Sequence, residues 1–206
     1  MKSKNHEALN LTPQRLNKKI LILLAVVFSL STYAQIYTAK TGATAITFYS
    51  EAPMENIEAL NKGAIIVLKA SSNEIQIRVT MQNFKFKNAL MEEHFNENYM
   101  ETEKKVDGAY PNRNGEFKGK INEPVDYSKD GETKVTITGK LTMHGVTKDV
   151  TLNGTVTKKG TEVIIYSKFR VKVADYNIKV PSMYVKNIAE EVDVTVSSTL
   201  EPLQKK

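Results

Sequence analysis

The chain has 206 residues, of which 41% are hydrophobic, 8% aromatic and 25% charged. That is room for one domain or two small ones, and the recurrence of Val, Ile, Leu, Phe and Tyr along the chain excludes disorder, as the charge content excludes a multi-span membrane protein. Cysteine is absent, which removes disulfides, thiolate metal sites, a Cys nucleophile and a Cys-linked lipid anchor.

The formal charge of +6 points toward nucleic acid until the N-terminus is read. Arg15, Lys18 and Lys19 precede an apolar run, Ile20 to Leu30, followed by Thr32 and Ala34 as small residues at alternate positions. Basic, then apolar, then small is the order of a secretory signal peptide, and the run is short against the roughly 20 residues that span a bilayer. Cleavage is expected after Ala34, giving a signal peptide at 1–34 and one domain at 35–206. Removal of 1–34 takes away five basic residues and one acidic residue and leaves +2. No electrostatic footprint for nucleic acid remains. No transmembrane segment is expected after cleavage.

In the mature chain the dominant period is two. Short strands are expected at Tyr37–Lys40 and Ala45–Ser50, and a weak helical stretch at Glu55–Leu60. Ala64–Lys69 reads as a strand, and Ser71-Ser72-Asn73 as the turn into Glu74–Met81, where Ile75, Ile77, Val79 and Met81 alternate with polar residues. Asn88–Met100 breaks the period. Met91, Phe95 and Tyr99 recur at i+4, Asn88 can cap the start, and Glu92 and Glu93 suit the positive end of the helix dipole. A short amphipathic helix is expected there, with its aromatic stripe on the sheet or over a barrel mouth. A polar loop follows over Glu101–Gly115.

Strands resume at Gly115–Asn122. Val135, Ile137, Gly139, Leu141 and Met143 form one apolar face, and Val150, Leu152, Gly154 and Val156 the next. Gly145-Val146-Thr147-Lys148 joins these two runs, and Lys158-Lys159-Gly160-Thr161 leads into the run 162–173. Val192, Val194 and Val196 close the series. The fold class is all-β with one short helix. About eight long, sequentially linked antiparallel strands favour a lipocalin-like eight-stranded antiparallel β-barrel over a sandwich. Such an interior is either filled by side chains or holds one small ligand, and periodicity cannot separate the two.

Catalytic signatures are missing: there is no GxSxG, no HExxH and no Gly-rich phosphate loop. His94 and Glu93 or Glu97 could in principle assist a metal, but no spacing presents two ligands on one face, so neither an enzyme nor a metal or other cofactor is expected. His144 beside Gly145 reads as a turn residue bonding backbone, with a place at a ligand mouth as the alternative. His94 reads as structural or as a mouth residue.

Three segments carry a resemblance: FKFKNALMEEHFNENYM (Phe84–Met100), GKLTMHGVTKDVTLNG (Gly139–Gly154) and FRVKVADYNIKVP (Phe169–Pro181). With FKGKI at Phe117–Ile121 and the signal peptide, they resemble the YceI-like family in order over nearly the whole mature chain. Lys104–Ala109 departs from it as extra sequence before Tyr110-Pro111, which bears on the barrel mouth. The resemblance implies a periplasmic or secreted, non-catalytic barrel with an apolar tunnel. Its ligands would be polyisoprenoids, isoprenoid quinones or fatty-acyl chains. On motif position and alternation, Phe84, Phe86, Leu90, Phe95, Phe117, Leu141, Phe169 and Val171 are expected in the wall. His94, Asn98, Tyr99 and His144 are expected at the mouth, against a polar head group. The alternative is an envelope interaction module with a filled barrel. The sequence leaves a homodimer open.

Overall fold

A computed structural model describes residues 35–51, 56–180 and 189–204; the expected signal peptide, the first residue of the weak helical stretch and the end of the Phe169–Pro181 motif lie outside them. Among the described residues ten strands form: β1 (Ile36–Ser50), β2 (Ile57–Asn61), β3 (Ile65–Lys69), β4 (Glu74–Thr80), β5 (Lys85–Phe86), β6 (Asn114–Ile121), β7 (Gly131–Met143), β8 (Val146–Lys159), β9 (Glu162–Lys172) and β10 (Glu191–Pro202). Eight of them close an antiparallel ring in the order β1, β3, β4, β6, β7, β8, β9, β10, with β10 returning to β1. This is the expected barrel, and closure removes the sheet edges that would otherwise invite pairing with other chains.

The two short strands expected at the start are the arms of one bent strand. Relative to β10, the register of β1 slips between Ala39 and Thr44, and Gly42 inside that bulge has φ +76°, a conformation glycine adopts without strain. The bend sends the arms to different neighbours: Ile36–Thr38 pair with β3, and Ile46–Ser50 pair with β2. The buried Thr44 and Ser198 hydroxyls share a hydrogen bond of 2.8 Å at the corner.

The expected helical stretch at Glu55–Leu60 is corrected. Ile57–Asn61 is a strand, with Ala59 and Asn61 buried and Glu58 exposed. The open edge of the second β1 arm recruits it, and pairing overrides weak helix propensity. At the end of β2, which lies outside the ring, Asn61 is wholly buried. Its Nδ2 donates to the Thr80 carbonyl at 2.9 Å and its Oδ1 accepts from Gly63 N at 2.9 Å, so no polar group there is left dry and unpaired.

The turns are tighter than expected. His144 and Gly145 alone connect β7 to β8, with φ +50° and +71°; two left-handed residues in a two-residue loop match the twist of the flanking strands. Gly160 and Thr161 connect β8 to β9. The run expected to 173 ends as a strand at Lys172, and Val173–Tyr176 turn as a 3-10 helix stopped by Asn177 at φ +56°.

Two apolar clusters line the inside of the ring. The floor cluster contains Tyr37, Ile66, Leu68, Ile121, Val135, Val156, Val163 and Leu200, and the loop 122–130 closes over it with Val125 and Tyr127. The Tyr127 hydroxyl donates to Asn73 Oδ1 at 3.0 Å, and burial pushes this phenol up to about 12. Each fully buried aliphatic side chain here stabilises the fold by roughly 1.5–3 kcal/mol. The second cluster gathers Ile46, Ala59, Val79, Met81, Phe84, Met100, Val171 and Val196 at the other end. Outside, cross-strand ion pairs such as Arg78–Glu116 at 2.8 Å and Lys168–Asp193 at 3.0 Å are solvent-exposed and contribute little each.

Candidate functional site

The end of the barrel away from the floor is covered by the segment that broke the strand period. Asn88 caps α1 (Ala89–His94): its side chain accepts from Leu90 N at 2.8 Å. Glu92 lies in the first turn, pairs with Lys85 and accepts from Phe86 N. The expected helix then departs from α geometry. Phe95–Tyr99 form a π-helical turn, closed by Met100 N donating to the Phe95 carbonyl at 2.8 Å. Such widened turns mark functional positions in many helices. No residue of α1 is buried, and Leu90 is 55% exposed. The segment lies across the opening instead of sinking into the core.

Below it sits an aromatic belt. Phe95 stacks on Phe48 at 5.5 Å between centroids and meets Phe84 at 5.7 Å and Phe86 at 5.1 Å. Phe48 also touches Phe84 and Phe86, at 5.6 and 5.5 Å. β1, β5, the residue that ends the Met81–Asn83 turn and the π turn each supply one ring of this belt. The two-residue β5, absent from the sequence expectation, exists because β2 offers Ala59 and Leu60 as partners.

A cavity of about 450 Å³ runs through the barrel interior. At the helix end it is lined by Leu90, Met91, His94, Val180 and Val192. It passes the aromatic belt, Leu141, Phe169 and Val171, and reaches Ile121, Ile137, Leu152 and Val156 near the floor. The lining is almost wholly aliphatic and aromatic. Ten of the twelve expected site residues lie on this cavity: Phe84, Phe86, Leu90, His94, Phe95, Tyr99, Phe117, Leu141, Phe169 and Val171. Phe48, Met81, Met91 and the inward valines of β10 line it as well and were missing from the expected wall. Their strand alternation (Ile46, Phe48; Val192, Val194, Val196) carried the signal.

Asn98 and His144 are elsewhere. Both line a separate polar pocket with Glu101, Lys104, Asn112, Asn177 and Lys179, and Tyr99 borders both spaces. Asn98 faces solvent on the outer side of the π turn. The His144 side chain is 8% exposed and bonded on both sides. Its Nδ1 lies 2.9 Å from the Tyr176 carbonyl. A carbonyl only accepts, so Nδ1 carries a proton and donates. Its Nε2 faces Glu101 Oε2 at 3.2 Å. His144 therefore ties the β7–β8 turn to the end of the helical segment and to the turn after β9. Lys104, bonded to both Glu101 oxygens at 3.0 and 2.9 Å, holds the Glu101 carboxyl below the usual range, and His144 adds to the effect. The loop at Lys104–Ala109 folds back on itself through mutual backbone bonds of 2.9 Å between Val106 and Ala109. Lys104 and Val106 line the polar pocket and not the apolar cavity.

Among the described residues, no three His, Asp or Glu side chains gather as metal ligands, and no helix is long and apolar enough to cross a membrane.

Residues 37–200 match a family model described as YceI-like domain. Solved structures share the fold, among them the following three. A polyisoprenoid-binding domain from Saccharophagus degradans implicated in plant cell wall breakdown is 15% identical with a TM-score of 0.67, over 81% of this chain and 98% of that one. BcnA of Burkholderia cenocepacia is 15% identical with a TM-score of 0.63, over 79% and 98%. The YCEI protein of Campylobacter jejuni is 14% identical with a TM-score of 0.52, over 69% and 81%. No curated protein sequence matches the chain.

Proposed function

The chain belongs to the YceI-like domain family, and on that footing we propose that it is an exported binding protein that holds a long apolar chain, isoprenoid or fatty-acyl, inside its barrel. The observation that carries this reading is the cavity: about 450 Å³ of apolar space inside a closed ring, under a helical segment with no buried residue. A filled barrel acting only as an interaction module would not keep such a void, because unfilled volume forfeits packing energy. The relative from Saccharophagus degradans, described as polyisoprenoid-binding, supports the same ligand class. The basic–apolar–small pattern of residues 1–34 supports export.

The chemistry is binding without catalysis. An apolar cavity of about 150 Å³ accommodates one benzene, so the volume here corresponds to roughly eighteen carbons. Burying about 400 Å² of such a chain at about 25 cal/mol/Å² yields on the order of 10 kcal/mol gross. Ordering the chain offsets part of this and leaves micromolar or tighter affinity. The Phe48–Phe84–Phe86–Phe95 belt and Phe169 form the wall. His94 and Tyr99, the polar side chains at the helix end, face a head group.

Native mass spectrometry of the mature protein, purified without detergent and then extracted with organic solvent, tests the proposal. A bound species of isoprenoid or acyl composition that leaves on extraction is the expected result. A ligand-free mass that does not change when prenyl lipids are added would overturn it.

A further inference from the structure

The inward face of β6 reads Gly115, Phe117, Gly119, Ile121, and that of β7 reads Ile137, Gly139, Leu141. Gly119 and Gly139 lie directly opposite each other. Two facing glycines in mid-strand weaken a sheet, which calls for a close approach by something else. That something is the Phe117 ring. A Cβ on Gly119 would lie 2.5 Å from Phe117 Cζ and 2.8 Å from Cε1; one on Gly139 would meet the facing strand's Lys118 carbonyl at 2.4 Å and Gly119 Cα at 2.6 Å first, and then Phe117 Cζ at 2.9 Å. The far edge of the ring therefore rests in the hollow that the two missing side chains leave in the wall. Phe117, Ile121 and Ile137 all line the cavity, so the open path continues past the seated ring toward the floor.

We propose that the Gly119–Gly139 hollow, by seating the Phe117 ring in the barrel wall, sets the depth of the tunnel and so the length of chain the protein accepts. This rests on the ligand-binding reading above. A phenyl ring needs about the space of one benzene, roughly 150 Å³. Displaced from its seat, Phe117 would occupy about a third of the tunnel and remove room for roughly six carbons. Shortened, it would free comparable room.

The test is a chain-length profile. Straight-chain fatty acids of about ten to about twenty-two carbons, bracketing the length that the volume admits, compete with a fluorescent naphthalene dye for the full-length mature protein. Phe117→Ala should shift the optimum toward longer chains, with the longest acids gaining about tenfold relative to the shortest. Phe117→Leu, which keeps more of the core filled, should shift it the same way by less. Gly119→Ala should act oppositely, with the longest acids losing about tenfold. An added Cβ there also meets the Thr138 carbonyl at 2.7 Å, so the two Phe117 variants carry the test if Gly119→Ala does not fold. A folded Phe117→Leu protein with the wild-type profile would overturn the inference while leaving the ligand reading intact. A wild-type protein that binds neither an acid of any length nor a prenyl alcohol would overturn both.

Discussion

At the floor of the barrel, Ile66, Leu68, Val163 and Leu200 are fully shielded from solvent inside a closed hydrogen-bonded ring, and a loop is fastened over them through Tyr127 and Asn73. At the mouth, the rings of Phe48, Phe86 and Phe95 are only half-buried, β1 has left β3 for β2, and the covering helix buries nothing. Both ends are built from apolar side chains. They differ in how far those groups are withdrawn from solvent: the floor side chains are wholly buried, whereas the mouth rings touch one another and stay half-exposed beside the cavity. Aliphatic side chains interlocked at crystal-like density supply stability. Flat rings around a void leave surface that a ligand can cover, and a short capped helix beside them can open without unfolding the ring.

Substitutions can break this division. Phe169 touches both clusters and lines the cavity. Phe169→Glu places an unpaired carboxylate in the tunnel, and apolar-chain binding should fall by at least about 100-fold, about 2.7 kcal/mol. Dye titration measures this, with circular dichroism to confirm the fold. Leu68→Ala at the floor should cost about 2–5 kcal/mol of unfolding free energy in urea titration, with the affinity of the folded protein unchanged. Phe95→Ala should do the reverse: affinity about tenfold weaker, about 1.4 kcal/mol, and a smaller stability loss than Leu68→Ala. Equal effects of these two variants on both readouts would erase the distinction between the ends. Asn88→Ala removes the helix cap and should cost about 1 kcal/mol at most, seen as faster exchange of the Leu90 amide with little change in global unfolding.

A separate effect emerges only at alkaline pH. Tyr127 is raised by burial from 10.0 to about 12, so the folded state favours the neutral phenol. Its contribution is fully present below pH 10 and is lost as pH rises from about 10 through about 12. Tyr127→Phe should flatten the stability curve in that window, as denaturant midpoints at stepped pH would record.

The ring itself was legible in the sequence. Strict alternation in β4, β7, β8 and β9 announces strands with one dry face, and Asn88 with Glu92 announces the helix start. β2 and β5 were not legible. Glu58 and Leu60 look helical in isolation, and Lys85–Phe86 is too short to show a period; both become strands only because the bent β1 exposes an edge. The π turn was hidden for a related reason: i+4 spacing of Met91, Phe95 and Tyr99 fits either winding. His144 shows where motif position misleads. Its place in a hairpin suggested the ligand mouth, yet two left-handed residues turn it outward to the Tyr176 carbonyl and Glu101. The first reading of His144, a turn residue bonding backbone, matches that geometry. The cavity follows from no local pattern, since a filled barrel and a hollow one alternate identically.

Hydrogen exchange of the mature protein with and without a saturating prenyl alcohol tests the division most directly. Amides in residues 84–100 and 173–180 should gain protection on ligand addition, while those of β3, β8 and β9 near the floor are already slow and should not change. Uniform protection across the barrel, or no change at the mouth with ligand bound, would contradict the account.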